Sequence, residues 1–158
     1  MRKEKRELGF SLIESLIVLV IVGVFGVFVV PAYQDFAVKA RVWEGASLAR
    51  PALTAMGMVC NDGRLNAAAT QTGTFELPAP NAISGKYVSS VVVAGHDATS
   101  GNFGRGSITI NFNFVIPEVA NKTIIYYGVC NASGIHWSLV GSIPPKYLPK
   151  LYPIRNQA

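Results

Sequence analysis

Polar and apolar positions divide the chain into an apolar stretch, an amphipathic stretch and an alternating region. From Phe10 to Ala32 the residues read FSLIESLIVLVIVGVFGVFVVPA, with one charge, at Glu14. As a helix rising about 1.5 Å per residue, this stretch can cross the hydrocarbon core of a bilayer. A carboxylate in such a span costs roughly a few kcal/mol, so Glu14 is interpreted as a functional residue. No Lys, Arg or His lies between Leu8 and Val38, so its charge partner is expected on another molecule. The alternative is that Glu14 only snorkels to the headgroups.

Helical periodicity continues from residue 33 to residue 59. Apolar residues recur on one face, and they are Phe36, Val42 or Trp43, Ala46, Ala49, Leu53 and Met56. Such an amphipathic face can lie against a globular domain. One helix is therefore expected from Phe10 to Val59, with Pro31 and Pro51 each removing a backbone hydrogen bond and bending its axis. Cys60-Asn61-Asp62-Gly63 is expected to end the helix, because Gly63 can adopt a positive φ.

The remainder, 60–158, is expected to form a globular head. Residues 64–86 are predicted to be a loop and residues 87–140 an antiparallel sheet of three or four strands. Ser107–Ile116 alternates most clearly between apolar and other residues, as a sheet with one buried face requires. Further strands are predicted from Tyr87, at Thr123–Val129 and at Ile135–Leu139. The proline-rich tail, 144–149, is expected to lie along the surface. The fold class is α+β, a long helix packed on a sheet.

The leader, MRKEKRELG, contains four basic and two acidic residues. Basic residues before a first span keep that end in the cytoplasm, so the head is expected on the outer side of the membrane. An ordinary secretory signal peptide is the alternative. The apolar run is longer than a usual signal core, however, and merges directly into helix-like sequence.

The string Gly9-Phe10-Ser11-Leu12-Ile13-Glu14, followed by the apolar run, resembles the N-terminal motif of type IV pilins. The resemblance continues through Gly23, Pro31, Tyr33 and Pro51, and more loosely in RVWEGASLA, GKYVSSVVV and SITINF. It implies the type IV pilin fold and an inner-membrane precursor. It also implies that prepilin peptidase removes residues 1–9 by cutting between Gly9 and Phe10 and then methylates the new amine of Phe10.

The spacing of the motif has its own physical logic. Cleavage would place a positive amine four residues from the Glu14 carboxylate. When such helices pack side by side, the amine of one subunit can meet Glu14 of its neighbour. A buried charge is tolerable when it is paired, so the pair would select one stagger between subunits.

The two cysteines, Cys60 and Cys130, both fall in the part expected to face outward, where disulfides persist. A bridge between them would join the end of the helix to the sheet; two separate buried thiols are the alternative. Many pilins instead bridge two cysteines near the C-terminus, around an exposed loop that often carries receptor contacts. No cysteine follows Cys130, so no receptor loop is assigned to particular residues.

No catalytic constellation, metal site or cofactor site is identified, and the chain is not expected to be an enzyme. Its net charge is +5. Loss of residues 1–9, which carry four positive and two negative side chains, leaves +3. A basic stripe on the filament would permit DNA contact. A solvated surface of mixed charge is the favoured interpretation, and contacts with DNA or a host surface are only weakly indicated.

The leading functional hypothesis is a structural subunit that polymerises with other pilins into an extracellular pilus. The resemblance implies that the pilus assembly machinery builds this filament and that it serves adhesion, twitching motility or DNA uptake. One alternative is a minor pilin or a type II secretion pseudopilin. The other is a membrane-anchored binding domain that does not polymerise.

Overall fold

The computed structural model describes residues 10–98 and 103–150, and the chain forms two compact units that divide between Ala37 and Val38. We call residues 10–37 the stem and the described residues from Val38 onward the head. The main elements are α1 (Leu12–Leu48), α2 (Arg50–Asn61), β1 (Val88–His96), β2 (Gly104–Phe112), β3 (Thr123–Asn131) and β4 (Gly134–Gly141). Short 3-10 turns occupy Pro80–Ala82, Pro117–Val119 and Pro145–Tyr147.

The head contains a four-stranded antiparallel sheet in the order β1-β2-β3-β4. Its register aligns Val93 with Ile108, Ile108 with Tyr126, and Tyr126 with Leu139 across all four strands. Ile108 and Tyr126 are buried, as are Ile110 and Ile124 in the neighbouring row. The sheet therefore has one apolar inner face, which must be covered by another element.

The cover is a helical face that runs from the last part of α1 through α2. Its buried residues are Val38, Val42, Ala46, Ala49, Ala52, Met56 and Val59. Small residues bring the helix backbone close to the sheet, since a Cβ on Gly45 would lie 3.0 Å from Cζ of Phe112. The α+β prediction of a helix packed on a sheet is confirmed. Within the predicted apolar face, Phe36 and Trp43 are instead exposed by 69% and 48%.

The helix predicted from Phe10 to Val59 is interrupted at one residue, Ala49, and its hydrogen bonds continue across that residue: the Ala49 amide donates to the carbonyl of Gly45 and the Leu53 amide to that of Ala49. The first helix ends at Leu48 and the second begins at Arg50. Pro51 lies in the first turn of α2, where backbone N–H groups have no intrahelical acceptor and the missing donor costs little. The end of α2 follows the expectation for Gly63, whose φ is +68°. The Gly63 amide donates to the carbonyl of Cys60 and the Arg64 amide to that of Val59, which is the Schellman pattern.

The most clearly alternating strand is shorter than the sequence pattern suggested. It ends at Phe112, not at Ile116. The amide of Asn113 donates to the carbonyl of Tyr87, and the Asn113 side chain accepts from the amide of Val115 at 3.0 Å. This local turn takes the chain away from the sheet and leaves Phe114 77% exposed.

The proline-rich tail, 144–149, is only partly on the surface. Pro145 and Lys146 are exposed, as expected, but Tyr147 is buried with the other core side chains, as is Ile143 just before the tail. Prolines exclude this segment from the strand ladder, but they do not prevent the apolar side chains between them from being buried. Residues 151–158 lie outside the described part.

The connection from α2 to β1 covers the edge of the sheet. The Gln71 side chain donates to the carbonyl of Val91 at 3.0 Å and accepts from the amide of Val93 at 2.9 Å. Nearby, the amide of Gly95 donates to the carbonyl of Ala69 at 3.3 Å. Three outer hydrogen-bonding groups of β1, at Val91, Val93 and Gly95, are thus satisfied within the head.

Candidate assembly site

The stem exposes nearly all its apolar side chains. Large hydrophobic residues from Phe10 to Tyr33 are each 48–78% exposed. An 18-residue window of this helix has a mean hydropathy of 2.8, and none of it is buried. By length and composition the helix can cross a membrane. So much exposed apolar surface must be covered by lipid or by other chains.

Glu14 lies in the first turn of α1, two residues after the helix begins at Leu12. A carboxylate there interacts favourably with the positive end of the helix dipole. The Ser15 amide already donates to the carbonyl of Ser11 at 3.1 Å. Among the residues that the structure describes, no basic side chain forms an ion pair with Glu14.

The remaining stem residues singled out from the sequence fall near or within this helix. Phe10 is exposed and precedes the first helical residue by two positions. Pro31 lies inside α1, which continues beyond it to Leu48. Gly9 and the rest of the leader lie outside the described residues.

The head is closed by a disulfide between Cys60 and Cys130, whose Cα atoms are 5.8 Å apart. It joins the last turn of α2 to the end of β3, and both cysteines are buried. The described part of the chain contains no unpaired cysteine, which excludes the alternative of two separate thiols. The bond tethers the C-terminal end of α2 to β3.

One cluster in the head did not emerge from sequence reasoning. Two basic side chains lie over the ring of Tyr87. The Arg41 guanidinium is 5.7 Å and the Lys86 ammonium 5.4 Å from the ring centroid. Glu44 is half-buried and accepts from the Tyr87 amide at 3.2 Å. Arg41 and Glu44 contact a residue more than forty positions away in sequence. The only sequence signal was that Arg41 and Glu44, three positions apart, lie on the same side of a helix.

An exposed apolar stem with one carboxylate in its first turn, joined to a disulfide-closed helix-on-sheet head, defines a class of membrane-anchored filament subunits. A family model described as the prokaryotic N-terminal methylation motif matches residues 5–30. A second model, described as pilin (bacterial filament), matches residues 38–152. The chain therefore belongs to the pilin family and is a structural pilus subunit that polymerises with other pilins.

Individual relatives cover most of the chain. The fimbrial protein EcpC of Eikenella corrodens is 32% identical over 145 residues, which span 89% of this chain and 87% of the relative. The type IV major pilin protein PilE1 of Neisseria gonorrhoeae is 32% identical over 130 residues, covering 82% and 67%. The type IV major fimbrial protein FimA of Dichelobacter nodosus is 26% identical over 160 residues, covering 90% and 92%. The similarity thus extends through stem and head.

Proposed function

We propose that the chain is a major subunit of a type IV pilus, made as an inner-membrane precursor with a cytoplasmic N-terminus and a periplasmic head. In this proposal prepilin peptidase cuts between Gly9 and Phe10 and methylates Phe10. The pilus assembly machinery then transfers the stem from the bilayer into the filament. The observation that carries the proposal is the Glu14 carboxylate, which has no basic partner among the described residues of an exposed apolar stem.

The Phe10 amine of one subunit would pair with Glu14 of the next. In the filament, neighbouring stems replace lipid around each helix, so both charges leave the aqueous boundary. A paired buried charge is tolerated, whereas breaking such a pair costs about 3–5 kcal/mol because the remaining charge is unsatisfied. The pair would consequently select the stagger between subunits more than it would strengthen their packing.

A major subunit is favoured over the alternatives because the similar proteins PilE1 and FimA are named major pilin or major fimbrial proteins. A minor pilin, a secretion pseudopilin and an anchored domain that does not polymerise are not favoured. The work proposed for the filament is adhesion, twitching motility or DNA uptake. Its support is family resemblance, with the net positive charge of the chain as a weaker argument for contact with DNA.

The test is Glu14→Leu, which keeps the stem apolar and helical while removing the charge. Ser15→Ala is the matched control, because it removes a neighbouring polar group that is also exposed. Pili sheared from cells should fall by more than about tenfold in the Glu14→Leu strain, as expected if an unpaired amine is buried at each contact. They should be unchanged in the control strain.

Two further measurements make the result interpretable. Immunoblots of membranes should show the Glu14→Leu subunit present at normal amount, so that lost filaments reflect failed assembly. Mass spectrometry of normal pili should find a chain that begins at methylated Phe10. Normal pilus yield from the Glu14→Leu strain, or pili built from chains that retain residues 1–9, would refute the proposed function.

A further inference from the structure

The register of the sheet brings several charged segments to one end of the head. Val88 pairs with Phe112 and Ile124 pairs with Gly141, so the start of β1, the end of β2, the start of β3 and the end of β4 lie together. Gly45 packs against Phe112 at this same end, and Arg41, one helical turn earlier, contacts Tyr87. We call this the entry end, because the chain enters the head there from the stem.

The entry end is basic. It contains five basic and two acidic side chains, namely Lys39, Arg41, Lys86, Lys122 and Lys146 against Glu44 and Glu118. The opposite end is balanced, with Asp62 and Asp97 against Arg64 and Arg105, and there Arg64 pairs with Asp62 at 3.1 Å. The described part of the head is therefore electrically asymmetric along the strand direction.

Three of the five basic side chains at the entry end make contacts other than ion pairs. Arg41 and Lys86 both face the Tyr87 ring, and Lys122 donates to the backbone carbonyl of Glu118. None of these three forms an ion pair within the described residues. Two cations held against one ring repel each other; the Glu44 carboxylate, which accepts from the Tyr87 amide, offsets part of that repulsion, and an external anion would offset more of it.

Exposed apolar groups accompany the charges. Phe114 is 77% exposed and Val115 53% exposed, on the β2–β3 connection at the entry end. Trp43, two residues after Arg41, is 48% exposed. Aromatic side chains beside Lys and Arg are typical of surfaces that sit at the level of lipid headgroups.

We propose that the entry end docks on anionic phospholipid headgroups while the subunit is still anchored in the membrane. The apolar stretch ends at Ala32, only seven residues before Lys39, so the entry end contains the first basic residues of the chain that follow the span. Anionic headgroups attract clustered Lys and Arg over a Debye length of about 8 Å at physiological salt. The docked head would be held against the bilayer until the stem is extracted. The inference rests on the membrane-anchored precursor and does not require the Phe10–Glu14 pairing.

Hydrogen exchange on the full-length chain in lipid nanodiscs tests this docking. One nanodisc contains phosphatidylcholine alone, and the other also contains phosphatidylglycerol. The connection 113–121, which carries the exposed Phe114 and Val115, reports on the entry end, and the turn 131–134 at the opposite end is an internal control. Phosphatidylglycerol should slow exchange in 113–121 by about threefold or more at low salt, and about 0.5 M NaCl should abolish the difference. Exchange in 131–134 should be the same in both lipids.

A charge variant then assigns the effect to particular side chains. The triple variant Lys39→Gln/Lys86→Gln/Lys146→Gln should show no slowing of exchange in 113–121 by phosphatidylglycerol. Lys122 is left in place because its ammonium donates to the carbonyl of Glu118, within the reporter segment. The matched control, Arg64→Gln/Arg105→Gln, removes cations from the opposite end and should retain it.

Two outcomes overturn the proposal. The first is equal exchange of 113–121 in both lipids. The second is slowing by phosphatidylglycerol that persists in the triple variant. If that variant also makes fewer pili, the basic surface would be assigned to contact with a neighbouring subunit. Failure of either kind leaves the Glu14 test unaffected, because that test measures assembly and not docking of the head.

Discussion

The double variant Cys60→Ala/Cys130→Ala opens a covalent loop whose ends are 70 positions apart. In the chain-entropy model, closing a loop of this length in the unfolded state stabilises the folded head by about 4 kcal/mol. The predicted loss is large beside the roughly 5–15 kcal/mol by which most domains are stable. Both side chains are small and buried, so replacement by alanine adds little strain of its own.

Urea unfolding of the full-length chain in detergent micelles measures this loss. Tryptophan fluorescence reports on the head, because Trp43 and Trp137 both lie in it. With an m value of about 2 kcal/mol per molar, the unfolding midpoint should fall by roughly 2 M. Unmutated protein treated with a reductant is the control, and it should show nearly the same shift without the alanine side chains.

A midpoint within about 0.5 M of the unmutated value would refute the reasoning, because the m value converts that shift to only about 1 kcal/mol. It would mean that the unfolded chain is already compact enough for loop closure to cost little. A large shift in the alanine variant without one in the reduced protein would assign the effect to packing.

Two other substitutions probe the core of the head. Gly45→Val places new atoms within about 3 Å of the Phe112 ring and should lower the free energy of unfolding by roughly 1–3 kcal/mol, which lowers the urea midpoint. Gly57→Ala, in α2 where a new Cβ has nothing within 4 Å, should raise the midpoint slightly. Equal midpoints for the two variants would contradict the close packing at Gly45. Burial raises the pKa of the Tyr126 phenol above its ordinary 10.0, so the folded head retains a proton that the unfolded chain releases. Stability should be intact below about pH 10 and decline as pH rises above it, and Tyr126→Phe should flatten that decline in melting curves; parallel curves would show that another group is responsible.

The parts of the fold that follow from local periodicity were predictable from the sequence. The alternation along β2 turns one face of the strand toward the core, so the burial of Ile108 and Ile110 follows from the pattern. The positive φ of Gly63 follows from the need to end a helix. At the stem, the charge and its apolar surroundings were readable directly, since no tertiary contact is needed to interpret a carboxylate in such a stretch.

The parts that depend on contacts distant in sequence were not predictable. Alternation continues past Phe112, and only the bonds from Asn113 to Tyr87 and Val115 show that the strand has ended. Prolines in the tail correctly excluded a central strand but could not reveal that Tyr147 is buried. The basic entry end likewise comes from the register of four strands, which no single segment encodes.

The amide of Gln71 has a consequence for a molecule that works in dense arrays. An unprotected strand edge offers any adjacent copy a template for runaway β-pairing, a hazard that grows with local concentration. Here one side chain imitates a further strand and occupies Val91 and Val93 before a neighbour can. On that side of the sheet, association between subunits is therefore left to other surfaces, such as the exposed apolar helix of the stem.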